Sequence, residues 1–466
     1  MGDGRSARAG WFDDRTADET RDLVDWAWTT SFDDLPGEVV AASKRLILDH
    51  FGVALGGIDH EASLAALGVL RELGGTAQST VLGHGDRTSV TNAALVNGIS
   101  SHVLDFDDTH IATILHPTGP IMAAALAVGE WRGRSGRDLL RAHVVALEVA
   151  TRVSRAIFPE HYDAGWHNSG TSGTIGAATA AALLCELAPG QLVHALGMAA
   201  TQAAGHREQF GSMSKSLHVG KAGANGALAA LLAARGFTAA PDSLQGRRGM
   251  FSIMSTGSRP ATLRGGLGSE WEIFAVGIKP YSCGVVAHPP IDAVRQLRTE
   301  RGVAPQDVAS IELRVNPQVI ELTGKQEPRT GLEGKFSVAF CAAIAMLDGA
   351  AGPRQFSDDV VTRPDVVALR DRIHPEADPG VGNSQAVAVA RLVNGSEERV
   401  EVTAASGTPE NPMSTEDLHA KFLDLAAPVL GERQADALLA TAERLEELES
   451  LDELVAASVR PQPARA

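Results

Sequence analysis

The sequence has little cysteine, and the three cysteines that it has are far apart. Among its 466 residues, Cys185, Cys283 and Cys341 each lie within or beside an apolar segment. They form none of the closely spaced pairs that structural zinc sites and most iron–sulfur clusters require. We therefore expect free thiols in a reducing compartment, which predicts a cytoplasmic protein.

Positive charge and long apolar runs are also scarce. The chain has 41 Lys and Arg residues against 57 Asp and Glu residues, a formal net charge of -16. Such a chain is not attracted to nucleic acid or to an anionic membrane surface. No apolar run approaches the roughly 20 residues of a membrane-spanning helix, and the first residues lack the apolar core of a signal peptide. We therefore expect neither a nucleic-acid partner nor a membrane partner.

Familiar catalytic patterns are missing as well. The chain contains neither a G-x-S-x-G nucleophile elbow nor a cysteine in an activating setting, so covalent catalysis by serine or cysteine is not indicated. It has no HExxH or comparable ligand spacing, so we expect no metal and no other cofactor. The less favoured alternative is a metal held by four residues of one segment, Asp105, Asp108, His110 and His116.

Titratable groups are concentrated in one short segment, Ser101 to Pro120, between two apolar stretches that predict buried helices. The segment reads SHVLDFDDTHIATILHPTGP and holds three carboxylates, three imidazoles and several threonine hydroxyls. Such groups are not buried without partners. The segment is therefore either a solvated loop, with an aspartate as a helix cap and a turn at His116-Pro117, or the floor of a functional site.

Three distant residues supply matching polar groups in apolar surroundings. His167 lies in a Gly/Ser turn before a very apolar helix, whose free N–H groups favour a bound anion; its alternative role is to satisfy the turn. Lys215 lies at the start of a helix, which is unfavourable for a cation unless an anion is present. His288 connects an apolar GVVA run to a Pro-Pro helix start, and its alternative role is structural. These residues favour a functional site.

The periodicity of apolar residues predicts helices over most of the first 265 residues, with almost no sustained strand alternation. In the last of these helices, Gly220, Gly223 and Gly226 recur every three residues without a phosphate-loop pattern. Small residues in one stripe are typical of a helix that a neighbouring helix approaches closely. We therefore predict a large all-helical domain.

The composition changes near Glu270. Beyond it the pattern predicts helices and several short strands, at 272–278, 308–315, 385–394 and 397–404. The last two are joined by Asn394-Gly395, a strong hairpin signal. Helices return after residue 413 and are expected to pack on the first domain. The prediction is a mainly α fold in which residues 17–269 and 405–460 form the all-helical domain and residues 270–404 form an inserted α+β lid domain.

Four motifs stand out in chain order: HVLDFDDTH with HPTGP, GWHNSGTSGTIGAA, SKSLHVGKAGANG and KPYSCGVVAHPPIDA. Together they resemble the motifs of the MmgE/PrpD family. The family includes 2-methylcitrate dehydratase, cis-aconitate decarboxylase and iminodisuccinate epimerase. The resemblance implies a metal-free site between the helical domain and the lid, normally in a homodimer.

The resemblance also implies roles for individual residues, through positions that match the decarboxylases of the family. The residues expected to be catalytic are Asp105, His116, His167 and His288. The residues expected to bind substrate are Lys215 and Thr109. A tyrosine that the decarboxylases use is expected within residues 313–322, and that segment contains none. Its absence weighs against decarboxylation.

The reactions of this family all form a carbanion next to a carboxylate, which positive groups and hydrogen-bond donors must stabilise. A neutral histidine takes the proton and a protonated one delivers a proton to a departing hydroxyl. We therefore predict a metal-independent lyase, in first place a dehydratase of a small hydroxy di- or tricarboxylate such as 2-methylcitrate. A cis-aconitate-type decarboxylase or an epimerase is the alternative. A helical scaffold protein is the non-enzymatic alternative.

Overall fold

Helices make up most of the computed structural model, which describes residues 12–461. The helices of the first part are α1 Asp18–Thr29, α2 Gly37–Gly57, α3 Glu61–Leu73, α4 Val90–His102, α5 Thr118–Arg132, α6 Gly136–Ile157, α7 Glu160–Asp163, α8 Asn168–Leu184, α9 Pro189–Ala200, α10 Ser214–Ala234 and α11 Met250–Met254. Those that follow are α12 His288–Thr299, α13 Pro317–Thr323, α14 Gly331–Gly334, α15 Val338–Asp348, α16 Asp358–Val361, α17 Pro364–Arg370, α18 Thr415–Leu430, α19 Glu432–Glu443 and α20 Asp452–Ala457. The predicted mainly α fold class is confirmed.

The strands form two short ribbons and one larger sheet. The ribbons pair β1 Ser79–Thr80 with β2 Arg87–Thr88, and β3 Thr109–His110 with β4 Val276–Gly277. The larger sheet contains β5 Val308–Val315, β6 Ile373–Ala377, β7 Ala386–Leu392 and β8 Glu397–Val402, in the order β6-β5-β7-β8. In it β5 is parallel to β6 and antiparallel to β7, and the predicted hairpin joins β7 to β8.

The glycine stripe of α10 allows close helix packing, as predicted. α10 packs against α4, α5, α8 and α9. A Cβ atom on Gly220 would lie 2.4 Å from the backbone oxygen of Leu95 in α4. A Cβ atom on Gly226 would lie 2.5 Å from the backbone nitrogen of Ala178 in α8. Both distances are far below van der Waals contact, so α10 touches its neighbours backbone to backbone.

Most buried apolar side chains fall into two clusters. The larger cluster combines helices of the first part with α18–α20, which contribute residues such as Phe422 and Leu438. The smaller cluster combines α12 and α15 with the four-stranded sheet. The chain enters and leaves this second region at neighbouring points, since a Cβ atom on Gly407 would lie 2.1 Å from the carbonyl oxygen of Ile278. The boundaries of the two domains stay a prediction.

Several local expectations differ from the structure. Of the strand expected at 272–278, only Val276–Gly277 is extended, because a 3-10 turn precedes it. The apolar pattern did not predict α13, which Asn316 caps, or β6, an edge strand whose exposed residues hide any apolar alternation. No single helix within residues 12–461 meets the length and apolarity of a membrane span; α2 and α3 meet them only jointly, across a bend of 81°.

Candidate functional site

Three buried lysines hold the loop Leu104–Phe106, which follows α4 and which we call the braced loop. Each lysine donates to a different carbonyl oxygen of the loop: Lys335 to the first at 2.6 Å, Lys279 to the second at 3.2 Å and Lys421 to the third at 2.8 Å. The middle residue, Asp105, has a φ of 49°. A non-glycine residue in this left-handed region is strained, and these contacts keep it there.

The side chain of Asp105 lies between two ammonium groups. Its Oδ2 is 2.8 Å from Lys215 Nζ and its Oδ1 is 2.5 Å from Lys279 Nζ. Burial acts to raise the pKa of Asp105, but Lys215 and Lys279 outweigh it and hold this pKa well below its usual range. Lys215 is the second residue of α10, within the helix rather than before it. The carboxylate thus satisfies the cation at the positive end of α10.

Three buried imidazoles, His102, His116 and His167, lie together and form what we call the histidine cluster. Their ring centroids are 4.8 Å, 5.7 Å and 6.2 Å apart. One ring nitrogen from each lies within 4.8 Å of the others, an arrangement able to hold a metal ion. Burial lowers the pKa of all three side chains, most strongly for His116 and His167. The cluster is therefore neutral at neutral pH.

Hydrogen bonds fix the proton of two cluster members on Nδ1. His102 Nδ1 lies 2.7 Å from a carboxylate oxygen of Asp107. Burial acts to raise the pKa of Asp107, but His102 and His116 outweigh it and keep this pKa low, so the carboxylate is ionised and accepts. His116 Nδ1 donates to the backbone carbonyl of Asp108 at 2.8 Å. Each Nε2 therefore carries a lone pair.

The third member, His167, immediately precedes α8, which begins at Asn168. Its Nδ1 is 3.0 Å from His218 Nδ1, and Phe210 packs edge-on against its ring at 5.1 Å. Its Nε2 is buried and has no hydrogen-bond partner in the part of the chain that the structure describes. His167 thus offers a free ring nitrogen to the site.

The polar groups line a small cavity. Its polar lining includes Asp105, His116, His167 and Lys215. Much of the remaining lining is apolar and includes Val285, Val286, Leu322 and Phe336. A second, smaller space is lined by His102, Asp105, Lys215 and Lys335 among others. Burial lowers the pKa of Lys335 to about 8. Buried ammonium, carboxylate and imidazole groups therefore share this cavity with apolar side chains.

The structure brings together four of the six residues singled out from the sequence, namely Asp105, His116, His167 and Lys215. Thr109 lies behind the site, with its hydroxyl 3.1 Å from His116 Nδ1, and does not line the cavity. His288 does not line it either: its ring packs edge-on against Tyr281 and its Nε2 is 3.4 Å from the Cys283 carbonyl.

Sequence reasoning missed His102, Lys279 and Lys335. His102 belongs to the polar segment, but its position in the sequence did not indicate that its ring, at the end of α4, lies beside the other two histidines. Lys279 and Lys335 each follow or precede apolar residues in IKPYS and GKFSV. An isolated lysine in such surroundings is a detectable signal, because it needs a buried partner.

Known proteins resemble this chain over nearly its whole length. Residues 21–263 match the MmgE/PrpD N-terminal domain and residues 281–447 match the MmgE/PrpD C-terminal domain. A cis-aconitate decarboxylase of Aspergillus terreus (strain NIH 2624 / FGSC A1156) is 28% identical over 95% of this chain and 96% of that protein. The Homo sapiens and Mus musculus cis-aconitate decarboxylases are each 29% identical, over 92% and 88% of this chain and 92% and 87% of their own lengths.

Proposed function

The chain belongs to the MmgE/PrpD family and is a lyase, and on that premise we propose that it decarboxylates a small unsaturated tricarboxylate of the cis-aconitate type. The observation that carries the proposal is the composition of the cavity. Lys215 and two neutral imidazoles line it together with apolar side chains. A carboxylate in apolar surroundings loses its hydration, and decarboxylation removes that charge. The names of the three relatives support the same choice.

Lys215 is the group proposed to hold a substrate carboxylate. An ammonium has three N–H donors, and in this structure Asp105 takes one of them. The other donors remain for an anion in the cavity. The backbone N–H groups that follow His167 at the start of α8 add partial positive charge. This combination binds one carboxylate while a second carboxylate lies among the apolar side chains.

The proposed reaction breaks the bond between carbon and the second carboxylate. The electron pair of that bond moves into the conjugated system and forms an enediolate on the carboxylate held by Lys215, whose charge stabilises it. A proton is then delivered to carbon, and His167 is the proposed carrier: its free Nε2 takes a proton from solvent and passes it to carbon. One proton is thus consumed for each carbon dioxide released.

Dehydration of a hydroxy acid such as 2-methylcitrate is the second candidate, and Lys335 favours it. Dehydration requires an acid for the departing hydroxyl and a base for the proton next to a carboxylate. Lys335, with a pKa of about 8, is protonated at neutral pH and lines the same space as His102, whose Nε2 has a lone pair. These two residues are the proposed acid and base of that reaction.

One assay separates the two candidates. The protein is incubated with cis-aconitate, citrate and 2-methylcitrate, while the ultraviolet absorbance of the unsaturated acid and the release of carbon dioxide are followed. We expect absorbance to fall with cis-aconitate, with one carbon dioxide for each molecule consumed. Rising absorbance with 2-methylcitrate, without carbon dioxide, would establish the dehydratase instead. No change with any of these acids would contradict both candidates.

We also propose that the protein is a cytoplasmic homodimer. Its three cysteines are free, and α3 exposes Val69 and Leu73, four positions apart on one face, by 53% and 76%. An exposed apolar helix face is typical of a subunit interface. Light scattering coupled to gel filtration should give twice the chain mass of 48.7 kDa. The Val69→Lys variant should give the monomer mass if α3 lies in that interface.

A further inference from the structure

We propose that the histidine cluster binds a divalent transition-metal ion such as Zn²⁺ through one ring nitrogen each of His102, His116 and His167, and that the bound ion inhibits the enzyme. The binding follows from the geometry of the cluster alone. The inhibition rests on the proposed function, because it requires a reaction in which these imidazoles carry protons.

The ring nitrogens available to an ion are the Nε2 atoms. The Nδ1 atoms of the three residues already lie at hydrogen-bond distance from other groups, at 2.7 Å, 2.8 Å and 3.0 Å. Nε2 of His102 and Nε2 of His167 are buried without a partner within residues 12–461. At His102 and His116 the lone pair is on Nε2, as the fixed Nδ1 protons require. Two lone pairs and a third free imidazole nitrogen therefore belong to rings whose centroids lie 4.8 Å, 5.7 Å and 6.2 Å apart.

The spacing of the three rings suits an ion after a small movement. One nitrogen from each ring lies within 4.8 Å of the others. Zinc binds histidine nitrogen at about 2.0–2.1 Å in a tetrahedral arrangement, which places ligand nitrogens roughly 3.4 Å apart. Rotation of the imidazole side chains accommodates a contraction of this size. A substrate oxygen or a water molecule completes the coordination.

The charges around the cluster are balanced. The ionised Asp107 lies 2.7 Å from His102 Nδ1, which is the carboxylate–histidine arrangement that orients and strengthens a zinc ligand. Lys215 and Lys279 are the nearby cations that oppose a metal ion, and both are paired with Asp105. The pairing reduces their repulsion, while Asp107 remains to compensate the charge of the ion.

A bound ion removes the proposed proton carriers from the reaction. Its bonds occupy Nε2 of His116 and His167, which both line the cavity. Neither ring nitrogen then accepts or delivers a proton to a substrate. The loaded enzyme is expected to be inactive, and removal of the ion by a chelator is expected to restore activity fully.

Cobalt titration of the full-length, chelator-treated protein tests the binding. Four-coordinate Co²⁺ absorbs visible light strongly, and we expect one such ion per chain, displaced by Zn²⁺. His102→Gln and His167→Gln should each lose the absorption, whereas the control His419→Gln, a change at a half-buried histidine of α18, should keep it. Asp107→Asn should weaken binding about 10–100-fold. Circular dichroism verifies that each variant is folded.

Two results would overturn the metal site. One is wild-type cobalt absorption in both His102→Gln and His167→Gln; the other is no absorption in the wild-type protein. The spectrum does not depend on turnover. Metal binding by a protein that leaves every tested acid unchanged would therefore contradict the proposed function and support the site. An active enzyme that Zn²⁺ neither binds nor inhibits would support the proposed function and contradict the metal site.

Discussion

Lys215 is the residue whose charge the proposed chemistry uses most directly. Replacing it with Met keeps the length of the side chain and removes the ammonium that stabilises the enediolate. Loss of one such donor lowers kcat by about 10²–10³-fold. We expect this loss for Lys215→Met, measured by carbon dioxide release. Lys221→Met, at an exposed position of the same helix, is the matched control and should retain full activity.

The pKa of Lys335 predicts how activity depends on pH. Burial lowers this pKa to about 8, so the ammonium loses its proton as the pH rises through that value. If the charge supports catalysis, kcat/KM falls above pH 8. The histidines have pKa values below the ordinary 6.5, so they stay neutral at that pH and give no acid limb there. A pH–rate profile measures both effects.

The Lys335→Met variant provides the control for this assignment. It has no titrating ammonium at this position, so its kcat/KM should be lower than that of the wild type but flat through pH 8. A variant profile that keeps the same basic limb would assign the limb to another group.

Residue types and local context predicted part of the site. His167 and Lys215 were found as polar groups in apolar sequence, and Asp105 and His116 were assigned within the polar segment through the family resemblance. All four meet in the cavity. His102 was not found, because its role depends on the direction in which α4 ends. His288 was expected in the site, but its placement depends on how the second hydrophobic cluster packs, which local patterns do not contain.

The braced loop depends on contacts between distant elements. Lys421 of α18 holds the loop and is also 2.6 Å from the carboxylate of Asp49 in α2. Lys421→Met leaves that carboxylate buried without its cation, which costs about 3–5 kcal/mol of unfolding free energy. Urea unfolding measures the loss. Lys44→Met, which breaks a more exposed pair with Glu446, should cost about 0–1 kcal/mol.

The loss of unfolding free energy in the Lys421→Met variant should also depend on pH. Burial raises the pKa of Asp49 in the folded protein, and loss of Lys421 raises it further. A carboxyl group whose pKa is raised by folding binds its proton more tightly in the folded state, so stability increases as the pH falls through that pKa. The difference from wild type should therefore be smaller at low pH. If the variant loses the same unfolding free energy at every pH, Asp49 is not the source of that loss.

The backbone contact between α10 and α4 leads to a second prediction about the packing of secondary-structure elements. Gly220→Ala places a methyl group 2.4 Å from the Leu95 carbonyl, which forces the helices apart and costs about 1–3 kcal/mol. Gly68→Ala in α3 is the matched control, because a Cβ there meets nothing within 4 Å. It should stabilise the protein by about 0.5–1 kcal/mol. Thermal unfolding compares the two, and equal effects would contradict the packing argument.

For the whole molecule, the predicted lid boundaries can be tested by excision. The chain passes into the second hydrophobic cluster and out of it beside Ile278 and Gly407, so a short glycine linker can replace residues 281–404. If the remainder is a domain, the shortened protein keeps its helical circular dichroism and a cooperative unfolding transition, but has no activity. Loss of cooperative unfolding would place the boundaries elsewhere.

The helical character of the first 265 residues was predicted, because long helices such as α2 and α6 bury an apolar face that recurs with the helical period. The elements that were missed, α13 and β6, are short and largely exposed, so packing rather than periodicity determines them. The arrangement of the helices around α10 followed only in outline from its glycines. The glycines allow close packing, but which helices pack against α10 depends on the surfaces of all the helices in the fold.

The braced loop has a consequence for biosynthesis. Asp105 leaves the ribosome early, whereas the three lysines that shape its loop are synthesised later, and the last of them, Lys421, lies 315 residues beyond Phe106 of that loop. A nascent chain can therefore form most of its helices while the candidate site is still unassembled. The braced loop is complete only after Lys421 has left the ribosome, so we expect chains that terminate before Lys421 to consume no metabolite.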